Sequence, residues 1–188
     1  VKFTRTGGEA STVALRIARS YSQKKNIAFC GYHGWHDWYL SSNLNKKNAL
    51  KTHHLSDLST NGVSKNLKGE VYGFRYNHFE DLKNLIKYKN IGVVIMEVQR
   101  NLKPSKDFLK NVRKFTKKNN VILIFDECTS GFRQVYGGLH LYYKINPDLA
   151  IFGKSLGNGY AINAILGKRK IMNSAKTSFI SSTFWTER

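Results

Sequence analysis

Two hydrophobic patterns alternate along the chain. Four short, continuously apolar runs (27–30, 91–96, 121–125 and 149–152) predict strands buried on both faces, and 161–166 predicts a weaker fifth. Between them apolar residues recur at the helical period. Over 8–21, Ala10, Val13, Ala14, Ile17, Ala18 and Tyr21 share one face, with Arg16 and Arg19 off it. Helices are also predicted over 79–88 and 105–118. The latter should bury Phe108, Leu109, Val112 and Phe115, with Ser105 as a candidate N-cap. Strands alternating with helices define an α/β fold: a mostly parallel central sheet with helices on both faces.

Ligands of such sheets bind beyond the carboxyl ends of the strands. The chemistry is therefore expected in the polar residues after the apolar runs: Gly31-Tyr32-His33, Glu97, Asp126-Glu127 and Gly153-Lys154. A lysine leaving a buried strand should have a desolvated amine, which suits Lys154 to a Schiff base. Asp126 closes the apolar run Ile122-Leu123-Ile124-Phe125, and a buried carboxylate needs a cation or a hydrogen-bond donor. A protonated pyridine nitrogen would serve, as would a plain Asp126–Lys154 ion pair. Thr6-Gly7-Gly8 opens the first helix. Its two glycines let amides approach a phosphate, the helix dipole favours an anion, and Thr6 offers a hydroxyl, although an ordinary helix start fits the same residues. Tyr32 is placed either to lie against an aromatic cofactor or simply to fill space.

Other motifs are weaker. His33, His36 and Asp37, with His53 and His54, raise a zinc site, but no H-E-x-x-H or cysteine pair supports it, and no metal is assigned. Gly153-Lys154-Ser155 ends like a P-loop, yet Asp148 stands at its first glycine. Gly157-Asn158-Gly159 begins a dinucleotide fingerprint, but Ile162 occupies the third glycine's place.

Composition narrows the class. At 188 residues, 41% hydrophobic and 23% charged, the chain is neither disordered nor, with no apolar run near the roughly 20 residues needed, membrane-spanning. The net charge of +19 raises nucleic-acid binding. Its basic residues are dispersed, however, at Lys24-Lys25, Lys46-Lys47, Lys117-Lys118 and Lys168-Arg169-Lys170, so a solvated surface and no nucleic-acid partner are expected. Cys30 and Cys128 read as buried free thiols of a cytoplasmic protein. The chain opens on Val1 and closes amid motif-rich sequence, and it reads as a fragment at both ends.

The ordered motifs Thr6-Gly7-Gly8-Glu9-Ala10, Gly31-Tyr32-His33-Gly34, Phe125-Asp126-Glu127 with Gly131-Phe132-Arg133, Pro147-Asp148, and Gly153-Lys154 with Gly157-Asn158-Gly159 resemble the class-III aminotransferases. These are fold-type-I enzymes dependent on pyridoxal 5'-phosphate (PLP), and the nearest branch is glutamate-1-semialdehyde 2,1-aminomutase. The resemblance implies that residues 1–188 form part of the PLP-binding large domain, without an N-terminal segment and a C-terminal small domain. It makes Lys154 the Schiff-base lysine that also moves the substrate proton, and Asp126 the partner of the pyridine nitrogen. Tyr32 would stack on the ring, His33 would belong to the cofactor-binding set, and Thr6, Gly7 and Gly8 would hold the phosphate. Thr183, in Ser181-Ser182-Thr183-Phe184, would reach the phosphate of the neighbouring subunit in a homodimer with shared active sites.

Two departures stand out: Gly8 where the family often has a hydroxyl residue, and Val98 where proline usually follows the glutamate. The implied activity is amino-group transfer on a small amino or carbonyl substrate, between molecules or within one. Trp35-His36-Asp37-Trp38 and Phe184-Trp185-Thr186-Glu187-Arg188 resemble relatives associated with surface-carbohydrate pathways, which makes a sugar-linked substrate the alternative. A basic nucleic-acid-binding module and a PLP-free scaffold are the rival readings. The intact Lys154 and Asp126 argue against the scaffold.

Overall fold

The computed structural model describes residues 1–45, 49–53 and 58–181. Seven strands form one sheet: β1 (Lys2–Thr4), β2 (Asn26–Cys30), β3 (Val71–Gly73), β4 (Ile91–Glu97), β5 (Ile122–Glu127), β6 (Leu149–Phe152) and β7 (Asn163–Gly167). Their spatial order is β1-β7-β6-β5-β4-β2-β3, with every pairing from β6 across to β3 parallel. Strand β7 runs antiparallel to both β6 and β1. The long helices are α1 (Gly7–Ser22), α4 (Phe79–Tyr88) and α5 (Phe108–Lys118). Single α-helical turns α2 (Asp37–Leu40), α3 (Ser42–Asn45), α6 (Leu139–Tyr142) and α7 (Arg169–Met172) and four short 3-10 helices, one of them at Lys154–Leu156, complete the helical set among the described residues.

The strands pleat, so neighbouring residues serve opposite layers. Ile27, Phe29, Val93, Ile95, Ile122 and Ile124 pack with Ala10, Ala14, Ile17 and Ala18 of α1. Ala28, Cys30, Val94, Met96, Leu123 and Phe125 pack with Leu82 of α4 and Leu109 and Val112 of α5. Both faces of β4 are fully covered, which is why its sequence is unbroken apolar. Each large side chain buried this way contributes about 1.5–3 kcal/mol. Helix α1 is capped reciprocally: the Thr6 hydroxyl accepts from the Glu9 amide (3.2 Å), and the Glu9 carboxylate accepts from the Arg5 amide (2.9 Å).

The structure departs from the sequence-based expectations locally. Strands β1 and β3, of three residues each, were not expected. Strands β4 and β5 run on through Glu97, Asp126 and Glu127, so these carboxylates are the last strand residues and do not lie in the following loops. Helix α5 begins at Phe108 with Asp107 at its N-cap position. Ser105 instead closes the preceding turn, its carbonyl accepting from the Phe108 amide and its own amide donating to Asn77. Phe115 is only half-buried, edge-on to Phe79, while Thr116 is buried in its place. Both cysteines are free, but Cys128 is partly exposed. Among the described residues no helix is long and apolar enough to cross a membrane.

Asp148, before β6, pins the edge of the parallel sheet. Its carboxylate accepts from the Leu123 amide (2.9 Å), Arg113 (2.9 Å) and Lys168 (2.6 Å). Burial alone would push this carboxyl up, but these three donors outweigh it and hold it below its ordinary value. Such a group stabilises the fold fully above its unfolded pKa, near 3.9, and the contribution is lost as pH falls through the lower folded value. Asp148→Ala strands the half-buried Arg113 and is expected to destabilise the protein by about 3 kcal/mol at neutral pH. Denaturant titrations at pH 7 and pH 3 should show the gap between variant and parent narrowing in acid.

Candidate active site

The strand ends open onto a cleft of about 210 Å³ lined by Thr6, Gly7, Gly8, Tyr32, His33, Gly34, Trp35, Asp126, Cys128, Thr129 and Lys154. Seven of the eight residues proposed from sequence, spread from position 6 to position 154, thus share one space. The eighth, Thr183, lies outside the described residues.

One wall is the start of α1. The amides of Gly7 and Gly8 are in its first turn, where no carbonyl precedes them in the helix, and they have no partner among the described residues. The turn after β2 presses on this wall. Gly34 has φ +101°, and a Cβ there would lie 2.8 Å from the Cα of Gly8, so both the conformation and the space demand glycine. Asn163 of β7 donates to the carbonyl of Arg5 (2.8 Å), fixing the approach to α1 from the other side.

The floor is Asp126. Its Oδ2 lies 2.8 Å from Nδ1 of His33, and its Oδ1 accepts from the Cys128 amide (3.0 Å). The other ring nitrogen of His33 meets the Cys30 carbonyl at 3.2 Å, and its ring stacks on Trp38. His33 is therefore the buried holder of Asp126. With His36 engaged by Thr12 (2.7 Å), these histidines are committed to protein partners, and His54 lies outside the described residues. Burial, with Asp126 adding to it, pushes the Cys128 thiol up, so it stays protonated beside the carboxylate.

Lys154 sits on the turn after β6, in the left-handed region at φ +45°, a sparsely populated conformation for a residue with a side chain. Its Nζ donates to the Thr129 hydroxyl (2.9 Å). The expected desolvation is absent. Lys154 is exposed, because the turn carries it past the strand to the mouth of an open cleft.

The third feature is a carboxylate network under Tyr32. Glu97 is buried and pairs in register with Asp126 on the adjacent strand. Its Oε2 accepts from the Tyr32 amide (3.0 Å), and its Oε1 accepts from Arg100 Nε (3.0 Å). Burial pushes the Glu97 carboxyl up, against the pull of His33, the Tyr32 amide and Arg100. The Arg100 guanidinium lies 5.4 Å from the centroid of the Tyr32 ring. Sequence reading found neither Arg100 nor Thr129. Their places depend on loop paths that no local pattern encodes.

A mostly parallel seven-stranded sheet with one reversed strand, and a cleft at the strand ends that sets a lysine and an aspartate against a helix N-terminus, are the α/β architecture of the fold-type-I transaminases. The comparisons agree: the omega-transaminase of Sphaerobacter thermophilus superposes with a TM-score of 0.81 at 26% identity, over 97% of this chain and 45% of that one. The PLP internal aldimine form of Sphingopyxis sp. MTA144 FumI protein does so at 0.81 and 25%, over 97% and 42%. The model of the family Aminotransferase class-III matches residues 1–187, and the chain belongs to that family. It is 41% identical to the glutamate-1-semialdehyde 2,1-aminomutase of Nitrosopumilus maritimus, over 92% of this chain and 41% of the relative. It is 36% identical to the 3-aminobutyryl-CoA aminotransferase of Cloacimonas acidaminovorans, over 96% and 42%. The chain thus spans about two-fifths of the length of the curated relatives it matches.

The residues present fit PLP. Unsatisfied amides at a glycine-lined helix start suit a phosphate, and a rigidly held carboxylate suits a protonated ring nitrogen. An exposed lysine within the same cleft suits covalent attachment.

Proposed function

We propose that the protein carries out PLP-dependent amino-group transfer and that Lys154 is the lysine that carries the cofactor. The supporting observation is the meeting of Lys154, Asp126 and the N-terminus of α1 in one cleft. Bound PLP supplies an electron sink for breaking the C–H bond beside the amino group. Asp126, oriented by His33 and the Cys128 amide, holds the proton on the ring nitrogen. Thr6 and the amides of Gly7 and Gly8 would hold the phosphate, and Tyr32, which lines the same cleft, would contact the ring. The Lys154 amine, beside Thr129, takes up and returns the substrate proton. The aminomutase and aminotransferase names among the relatives share this amino transfer and differ in whether it runs within one molecule or between two. A homodimer in which Thr183 completes the neighbour's phosphate site belongs to the same proposal.

The test is borohydride reduction of the PLP-loaded full-length protein, followed by peptide mass mapping. The expected result is a pyridoxyl adduct on Lys154. An adduct confined to another lysine, or none, overturns the assignment.

A further inference from the structure

His36 is engaged by Thr12 through one ring nitrogen only, and the other is turned to the start of α1. Its backbone is fixed on both sides. Gly34 presses on Gly8, and the His36 carbonyl accepts from the Tyr39 (2.9 Å) and Leu40 (3.2 Å) amides as α2 begins. The ring lies along α1. Nδ1 is 2.7 Å from the Thr12 hydroxyl, which also lies 2.9 Å from the Gly8 carbonyl and accepts from Trp38 Nε1 (3.2 Å). The opposite edge reaches one helical turn back: a Cβ on Gly8 would lie 3.2 Å from Nε2 and 3.3 Å from Cδ2. The imidazole thus occupies the space that a side chain at position 8 would enter. Nε2 itself has no hydrogen-bond partner among the described residues.

His36 lines a groove on the flank of α1 with Glu9, Thr12 and Arg16, while Gly8 belongs to the neighbouring cleft of Asp126 and Lys154. The charged side chains of the groove are engaged elsewhere: Glu9 accepts from the Arg5 amide, and Arg16 donates to the Phe179 carbonyl (3.0 Å). A ring that only packed against α1 would need the Thr12 contact alone. Imidazole donates at Nε2 both in the neutral tautomer protonated there and as imidazolium. Such a donor beside unsatisfied first-turn amides matches the oxygens of a phosphate, which accept more hydrogen bonds than two amides and one hydroxyl supply.

We infer that His36 is a phosphate-binding residue, its Nε2 donating at the first turn of α1 in the place that a side chain at position 8 would otherwise take. This inference rests on the proposed function, which puts the phosphate of PLP at that turn.

The experiment titrates full-length apoprotein with PLP and with pyridoxal, which lacks the phosphate, and reads both dissociation constants from cofactor absorbance. The wild type is expected to bind PLP far more tightly. His36→Asn keeps a polar group opposite Thr12 and removes the Nε2 edge. It should weaken PLP by on the order of 10-fold or more and leave pyridoxal near wild type. His36→Gln, whose amide reaches further, should recover part of the loss. Adding Gly8→Ser to His36→Asn should do the same, because the vacated space admits a hydroxyl. If His36→Asn does not fold, His36→Phe keeps the ring packing and carries the same comparison. Unchanged PLP affinity overturns the inference, and so does equal weakening of PLP and pyridoxal, the mark of a purely structural role. A wild type that takes up no PLP refutes the proposed function and this inference with it, so uptake is read first.

Discussion

Full-length protein carrying Lys154→Ala is expected to lose amino transfer by on the order of 10³-fold or more. The side chain has two tasks in the proposed reaction: covalent hold on the cofactor and movement of the substrate proton. Alanine removes both. The fold should survive, because Lys154 is exposed and, among the described residues, its side chain makes a single hydrogen bond, to Thr129. The left-handed backbone at φ +45° also persists as a cost for alanine, so the melting temperature should change little. Single-turnover absorbance, with circular dichroism as a fold control, measures both quantities. Added methylamine should restore part of the rate if the proton-moving role is correct. A variant within threefold of wild type would mean that another lysine does this work.

The second large effect is expected from Asp126→Asn. The carboxylate is almost fully buried at the end of β5 and faces His33 on one oxygen and the Cys128 amide on the other. An amide of the same shape keeps the packing but has no negative charge to hold a proton on the ring nitrogen. The half-reaction is expected to slow on the order of 10²-fold, in line with loss of a preorganised electrostatic contact. Cofactor should remain bound, because the phosphate residues on α1 are untouched. Stopped-flow absorbance gives the rate, and equilibrium titration gives the affinity. An unchanged rate would make Asp126 a structural partner of His33 alone.

What the sequence revealed and what it hid follow from the physics of each element. Strands β4, β5 and β6 were legible because burial on two faces forces an unbroken apolar run. Strands β1 and β3 were not. Three residues carry too little pattern, and their strand character comes from register with β7 and β2, far away in the sequence. The convergence of Thr6 to Gly8, Asp126 and Lys154 on one cleft was legible because each stands at the start of a helical period or at the end of an unbroken apolar run, where a parallel sheet opens its strand ends. His33 was placed in the right cleft, while its contact is with Asp126 in the structure. The expected desolvation of Lys154 failed because a strand end fixes where a side chain departs, whereas solvent access depends on how the cleft is walled. Arg100 left no trace at all, since only the turn after β4 brings it over Tyr32.

The hydrogen bond from Asn163 to the carbonyl of Arg5 joins residues 158 positions apart. It has a consequence for how the protein is made. During synthesis the residues of the anion cradle, Thr6 to Gly8, emerge early, but the strand that fastens them against the sheet follows only after the rest of the parallel core. Contacts of such long sequence separation form late, because the chain between them must be ordered first. A nascent chain stalled before β7 would present an α1 start without its tie to Asn163 and an exposed β6 edge, the kind of edge that pairs with other chains. If the cleft takes PLP as proposed, a ribosome-bound intermediate is expected to acquire it only once residue 167 has cleared the exit tunnel.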